Sequence, residues 1–371
     1  MAAAIDKITI KGYKSIRELI DFPLGEINIL IGANGSGKSN FVGYFTLLRE
    51  MIEGRLESAV NLAGRADKLL FFGPKYTKII ESRIDFGQNA YAFALAPTVD
   101  NRLIFEYERM KFIPPGKSFE YDRFLGKGHG ESHLKKQLNL EDPDRKIADY
   151  IFKSISSWTV YHFHDTSDTS AMRRSCSIRD YDRLRSDASN LAAFLNHLTN
   201  KYPSEYRLIV ETVRLAAPFF KDFMFRPQKT GDDVLVDLEW TQKNGDYPFH
   251  ASQLSDGTLR FIALAAALLQ PDPPSMIVID EPELGLHPEA LDILASLMTQ
   301  TRKKTQLIVS TQSAALVDAF DPENVIVVDR HEGESRFRRL DSSELDEWLK
   351  DDYSLGDLWR KNVFGGGPVY E

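Results

Sequence analysis

A chain of 371 residues, 43% hydrophobic and 27% charged, has the length of one large or two modest domains and the composition of a globular protein, which excludes a disordered chain. Its net charge of −8 excludes whole-surface attraction to nucleic acid and leaves only a local basic face for such contact. Its one cysteine, Cys176, excludes an internal disulfide and a cysteine metal cluster and fits a reducing cytoplasm; packing as a small side chain is its plainest role.

The opening stretch, MAAAIDKITIKGYKSI, lacks the continuous apolar core of a signal peptide, and no segment approaches the length of a membrane span. The expectation is a protein neither exported nor embedded by its own sequence. KITIKGY alternates apolar and polar residues as a strand does, and INILIG is an apolar strand that stops at Gly32. NFVGYFTLLREMI follows with Phe41, Phe45, Leu48 and Met51 near helical spacing. Between about residues 76 and 113, YTKIIESRIDF, AYAFALAPTVD and NRLIFEYERMKF predict short strands in an antiparallel layer.

From Pro114 the chain turns polar, which predicts an exposed insertion; its Lys127, Lys135 and Lys136 serve either phosphate contact or solvation. These shifts divide the chain into residues 1–113, an insertion over 114–157, and residues 158–371. WTVYHFH predicts a strand, and SDASNLAAFLNHLTNKY a capped helix with Leu191, Phe194, Leu195 and Leu198 on one stripe, with more helix to about Phe223. From DVLVDLEW onward strands and helices alternate, the pattern of α/β architecture with a mostly parallel core sheet. No internal repeat or heptad run occurs, which excludes a long coiled-coil arm.

The segment GANGSGKS, Gly32 to Ser39, matches the full P-loop pattern between a buried strand and a helix. Glycines 32, 35 and 37 let the backbone curl so that the N–H groups of Ala33, Asn34, Ser36 and their neighbours point at phosphate oxygens, with the helix dipole behind them through Asn40. Lys38 is placed to reach the β- and γ-phosphates of ATP, and Ser39 to ligate Mg²⁺. SMIVIDEPELGLHP supplies the second anchor: an apolar strand ends in Asp280 and Glu281, whose side chains diverge, which suits Asp280 to the metal and Glu281 to the attacking water as general base.

Upstream, LSDGT precedes the apolar helix LRFIALAAALLQ. Alone it is either a helix-capping turn or part of a site. Its Leu254, Ser255, Asp256, Gly257 and Thr258 resemble the signature of ABC ATPases, in which the serine, the glycine backbone and the helix N-terminus meet the γ-phosphate held by the opposite subunit. With GYKSI, GANGSGKSN, EPELGLHP and IVSTQSAALVDAF, most of the chain resembles ABC-type heads of the RecF/SMC/OLD-like group, as a stand-alone ATPase without coiled-coil arm or Toprim domain. YHFHDTS and LGDLWRKNVFGGG are similar to segments of such stand-alone proteins, often associated with bacterial mobile elements and antiviral defence loci.

That resemblance implies a P-loop NTPase head with an antiparallel β layer, a helical lobe and a mostly parallel core sheet. It implies a homodimer closing around two ATP molecules, acting as a switch on DNA or on a separate nuclease-like effector. The other function it implies is an autonomous RecF-like DNA-repair ATPase. A transporter motor fits poorly, because the chain lacks membrane spans and carries the SMC-like GLHP segment. Past Asp329 about 40 residues remain, too few for a nuclease domain of usual size, so the expected effector is another polypeptide.

The chain departs from the group in its signature, its switch and its Q-loop. Asp256 stands at a glycine position of the signature and Thr258 at its fifth position, and Gln312 stands where the switch histidine is common; an amide hydrogen-bonds but carries no proton. No clear Q-loop glutamine is found, and His164, Asp165 or Thr166 stands near that place. His162 and His164, sharing a strand face, form either a metal site with Asp165 or ordinary packing, and His287 resembles a residue communicating between the two ATP sites. Lys14 and Ser15 either touch nucleotide or end a strand, and the arginine-rich run MRRSCSIRDYDRLR offers either a DNA or partner contact or a solvated helix face.

Overall fold

The computed structural model describes residues 4–116, 119–141, 143–350 and 353–367; Lys117, Ser118 and Asp142 of the polar segment, and both chain ends, lie outside the described residues. Among the described residues, the strands form two six-stranded sheets and two three-stranded ones. The core sheet runs, edge to edge, Glu334–Arg339, Val325–His331, Ile27–Ile31, Gln306–Ser310, Met276–Asp280 and Thr159–Tyr161. All its pairings are parallel except the edge hairpin 325–339. Strands buried on both faces read as apolar runs, as INILI and MIVID do.

Because side chains alternate along a strand, this sheet divides two cores. Ile27, Ile29, Ile31, Ile277, Ile279, Leu307 and Val309 face the helices Leu191–Lys201, Pro203–Ala216, Asp256–Leu269 and Pro288–Thr301. Leu30, Val278, Ile308, Ile326 and Val328 face the opposite way, onto the helix Lys38–Ile52 and the antiparallel sheet. That second sheet runs Ile16–Pro23, Lys7–Tyr13, Ile80–Phe86, Asn89–Pro97, Leu103–Phe112 and Tyr121–Gly126. Phe41, Phe45, Leu48 and Met51 are all buried between the two sheets.

Three segments differ from the sequence expectation. Within 114–157 the chain adds Tyr121–Gly126 as an edge strand and folds the helix Asp144–Ser156, which buries Ile147, Ala148, Ile151 and Ile155. The helix expected to reach Phe223 ends at Ala216, before Pro218, and Phe220–Met224 is a strand. The arginine-rich run holds a 3₁₀ turn, Ala171–Arg173, and a two-residue strand, Cys176–Ser177, rather than an α-helix. Leu191, Phe194, Leu195 and Leu198 are buried as expected, but Asn190 at the N-cap turns its amide onto the carbonyls of Asp180 and Arg183 instead of the helix.

Candidate functional site

Three adjacent parallel strands deliver their C-terminal ends to one edge: Ile27–Ile31 ends at Gly32, Met276–Asp280 at Glu281, and Gln306–Ser310 at Thr311 and Gln312. Loops at this edge of a parallel sheet are the usual place for a ligand. The first loop, Gly32 to Gly37, enters the helix Lys38–Ile52, whose N-terminus carries no side-chain cap. No side chain among the described residues takes up the N–H groups at this helix start, although the Ser36 and Asn40 N–H groups already donate to Ala33 O and Gly37 O. Gly37 has φ +112°, and a Cβ there would meet the Ser335 hydroxyl at 2.0 Å, so only glycine fits.

Ala33, Asn34 and Gly35 lie at the surface, Ser36, Gly37 and Lys38 are buried, and Ser39 is exposed at the first helical turn. The Lys38 ammonium donates to the carbonyl oxygens of Gly32 at 2.6 Å and Ala33 at 3.2 Å. Burial lowers its pKa, while the charges of Glu281, Asp280 and Glu283 act in the opposite sense. The lysine therefore faces three carboxylates across the site.

Oδ1 of Asp280 is buried and has no hydrogen-bond partner among the described residues. An orphaned carboxylate oxygen costs free energy unless a donor or a cation meets it. That oxygen and the exposed Ser39 hydroxyl at the start of the helix Lys38–Ile52 are both hard oxygen donors of the kind Mg²⁺ takes. Glu281 is held at φ +46° and donates its N–H to Ser310 O at 2.8 Å. The Gln312 side-chain amide donates to Glu281 Oε1, and its backbone N–H donates to Glu283 Oε1 at 2.6 Å. Burial pushes the Glu283 carboxyl above its ordinary pKa. His162 and His164 come beside Asp280 rather than Asp165, which instead accepts from Ser167. Nε2 of His164 lies 3.1 Å from Asp280 O, and burial lowers the His162 pKa.

Ser255 is the N-cap of Asp256–Leu269 and accepts the Thr258 N–H at 3.1 Å, so the capping role of this turn is realised within the chain. A Cβ on Gly257 would lie 2.1 Å from Gly285 O. Ser255, Gly257 and Thr258 line a cavity of about 110 Å³ together with Gly285, Leu286 and His287, and no P-loop residue lines it. Asp256 takes a 2.8 Å bond from the guanidinium of Arg173.

Sequence reasoning missed four polar residues that brace these loops. Ser335 donates to Ser36 O, its hydroxyl pairs with that of Ser15 at 2.7 Å, and Asn40 donates to Ser15 Oγ at 2.7 Å. Arg330 donates to Gly35 O at 2.8 Å. Arg173 donates to the carbonyls of Thr166, Ala251 and Leu254, and Arg260 to those of Phe163, His164 and Leu284. The two arginines thus tie the signature turn to the segment after Thr159–Tyr161. Lys14, at φ +48°, bonds through its N–H to Leu69 O; its ammonium lies 5.6 Å from the centroid of the Tyr13 ring, and burial lowers its pKa.

Residues 27–318 match the family described as "AAA domain, putative AbiEii toxin, Type IV TA system". A stretch of 77 residues, 20% of this chain, is 36% identical to the Old nuclease of Escherichia phage P2 and spans 13% of that relative's length. The fold is similar to an SMC head bound to the C-winged helix domain of ScpA, with a TM-score of 0.60 at 18% identity over 93% of this chain and 99% of that one. It is also similar to an Smc head domain with an extended coiled coil bound to the C-terminal domain of ScpA from Pyrococcus furiosus, with a TM-score of 0.55 at 17% identity over 94% and 99% of the two chains. The shared architecture is the P-loop NTPase head, an antiparallel sheet against a mostly parallel one. No helix among the described residues is long and apolar enough to cross a membrane.

Proposed function

Because the chain belongs to this AAA-domain family, among ABC-type ATPases of the RecF/SMC/OLD group, we propose that it binds and hydrolyses ATP as a dimerising switch on a separate effector. The observation that carries this function is the convergence of Asp280, Glu281 and Gln312 beside the P-loop, with a buried Asp280 oxygen that lacks a partner. Gly32 through Asn40 hold the phosphates, with Lys38 leaving the carbonyls of Gly32 and Ala33 for them. Lys14, which precedes the Ser15 that pairs with Asn40 and Ser335, is assigned to the same phosphates. Ser39 and Asp280 hold Mg²⁺, which when bound neutralises developing phosphate charge. Glu281 takes the proton of the attacking water, and Gln312 orients Glu281.

The second half of each site comes from Ser255 and Gly257 of a second copy. Supporting this, the signature turn lines a cavity with Gly285–His287 away from the P-loop of its own chain. In this proposal residues 1–113 and 158–371 are two halves of one head, joined through 114–157. The effector is of nuclease class and DNA is its substrate, which the likeness to a phage nuclease supports and which fits a role in bacterial antiviral defence. For the autonomous DNA-binding alternative, Arg173 of its basic run is committed to the interior, while Arg174, Arg179, Arg183 and Arg185 stay exposed as its contact surface.

Light scattering of the Glu281→Gln variant with ATP and Mg²⁺ tests the switch. The mass is expected to double, and to stay single when Ser255→Arg is added. A mass indifferent to ATP would remove the sandwich.

A further inference from the structure

Remote in sequence from the P-loop, the strand Leu103–Phe112 buries a carboxylate, Glu108, with no solvent exposure. The chain after Tyr121–Gly126 folds back and presents His129 and His133 to it, and a nitrogen of each ring and an oxygen of Glu108 lie within 4.8 Å of one another. The hydrogen bonds of the cluster define its protonation. Nδ1 of His129 sits 2.8 Å from Glu131 O, and Nδ1 of His133 sits 3.2 Å from Leu125 O. A carbonyl oxygen only accepts, so each Nδ1 carries a proton and, in a neutral ring, each Nε2 carries a bare lone pair.

Oε1 of Glu108 is saturated by the hydroxyls of Tyr91, at 2.6 Å, and Ser132. Oε2 accepts the His133 N–H at 2.8 Å and faces Nε2 of His129 at 3.5 Å, without a hydrogen bond between them. Two lone pairs that face each other in a buried place repel unless a proton on Nε2 or a metal ion lies between them.

The surroundings are those of a metal ligand set. Histidine ligands donate their second ring N–H to a backbone carbonyl, as both do here. Two imidazoles and a carboxylate make a tetrahedral zinc set with one open position, and with bonds of about 2.0–2.1 Å neighbouring ligand atoms stand about 3.4 Å apart, close to the observed separation of His129 and Glu108. The His129 ring is held between Phe105, at 4.5 Å, and His133, at 3.8 Å. A Cβ at Gly126 would come within 3.0 Å of His129 and 3.1 Å of His133, so glycine there leaves room for both rings. Both rings reach the surface at one edge, while Nε2 of His129 and the Glu108 carboxylate are buried.

We propose that Glu108, His129 and His133 form a divalent transition-metal site of the two-histidine, one-carboxylate class, selective for Zn²⁺ over Mg²⁺, which clips the 126–133 turn to the antiparallel sheet. Closing on the ion splays the two stacked rings. Imidazole donors disfavour Mg²⁺, so this site is chemically distinct from the one at Ser39 and Asp280. It stands independently of the proposed ATPase switch.

The test is titration of Zn²⁺, and of Co²⁺ as a coloured substitute, into the full chain carrying His162→Ala and His164→Ala, which removes the imidazoles near Asp280. The expected result is one ion per chain, the visible bands of four-coordinate Co²⁺, and a rise of Tm with Zn²⁺ that a chelator reverses. Separate His129→Gln and His133→Gln changes in that background should each weaken uptake at least tenfold while melting in chelator as their parent does. A background chain that takes up no ion, gains no Tm with Zn²⁺, or binds equally well after both changes would overturn the site in favour of a protonated His129 paired with Glu108.

Discussion

The carbonyl oxygen of Gly285 occupies the space where a side chain on Gly257 would begin, 2.1 Å from the position of its Cβ. The helix Asp256–Leu269 and the 285–287 segment therefore touch backbone to backbone. A methyl group forces them apart, and overpacking of this kind costs about 1–3 kcal/mol. Gly257→Ala is expected to lower Tm by a few degrees and to abolish ATP-dependent doubling of mass, while a fluorescent ATP analogue still binds the single chain. Loss of analogue binding would show that the contact supports the P-loop instead.

Arg173 and Asp256 form an ion pair of unequal halves, with side-chain exposures of 3% and 63%. A pair with one member in water is worth about 1 kcal/mol or less. The backbone carbonyls that Arg173 satisfies are another matter: Ala251 O keeps the Leu254 N–H, but orphaning Thr166 O and Leu254 O costs about 1–3 kcal/mol each. Arg173→Ala should therefore destabilise the chain by about 3 kcal/mol or more, and Asp256→Ala by under about 1 kcal/mol. Urea denaturation of both variants decides it, and equal losses would assign the stability to the ion pair.

These contrasts show which features a sequence exposes. The turn from Gly32 to Ser39 and the strand end at Asp280 were legible as local structure because a glycine-rich loop and a buried apolar strand each impose a contiguous pattern. Ser335 and Arg330 were not, because they brace that loop from a hairpin about 300 residues away, and a polar residue in a hairpin leaves no periodic trace. Arg173 was expected on a surface because charge predicts exposure; only the tertiary fold supplies the carbonyls that let it be buried. The strand Tyr121–Gly126 lay hidden because an exposed edge strand carries little apolar alternation. The end of the helix at Ala216 was foreshadowed by Pro218, two residues on.

Glu283 links the site to pH. Burial raises its folded pKa above the ordinary carboxylate value near 4.5. The native state then holds the proton more tightly than the unfolded chain, so stability declines as pH rises from about 4.5 through the folded value. Glu283→Gln keeps an oxygen to accept the Gln312 N–H and removes the titration. Urea midpoints across this window are expected to fall with pH in the parent more than in the variant. Parallel profiles would mean that Glu283 titrates as an ordinary surface carboxylate.

Ser335 braces the P-loop from the far end of the chain by donating to Ser36 O and pairing with Ser15. Ser335→Ala removes the bond to Ser36 O, worth about 1 kcal/mol, together with the pairing to Ser15, and loosens a loop whose N–H groups must stay aimed. ATP affinity should fall about fivefold, the fold-change that about 1 kcal/mol produces, with the fold intact. Calorimetric titration measures it, with Ser335→Thr as the control that keeps the hydroxyl; equal affinities in all three proteins would make the brace irrelevant to nucleotide.

Gln312 donates its amide to Glu281 and so sets the direction of the carboxylate assigned to the attacking water. Removing the base and removing its support should differ in size. Glu281→Gln deletes proton transfer, a contribution of about 10²–10⁴ in rate. Gln312→Ala deletes one hydrogen bond to a charged group, about 1.5–3 kcal/mol, and should slow turnover about ten- to a hundredfold with KM unchanged, because neither group is expected to hold ATP in the ground state. Restoring a side chain that titrates near 6.5, as Gln312→His does, should recover part of the rate and introduce a pH dependence around neutrality that the parent lacks. Phosphate release measured across pH on the four proteins separates these effects. A Gln312→Ala variant as slow as Glu281→Gln would place the amide on the reacting atoms themselves, and one as fast as the parent would leave Glu281 oriented by Ser310 alone.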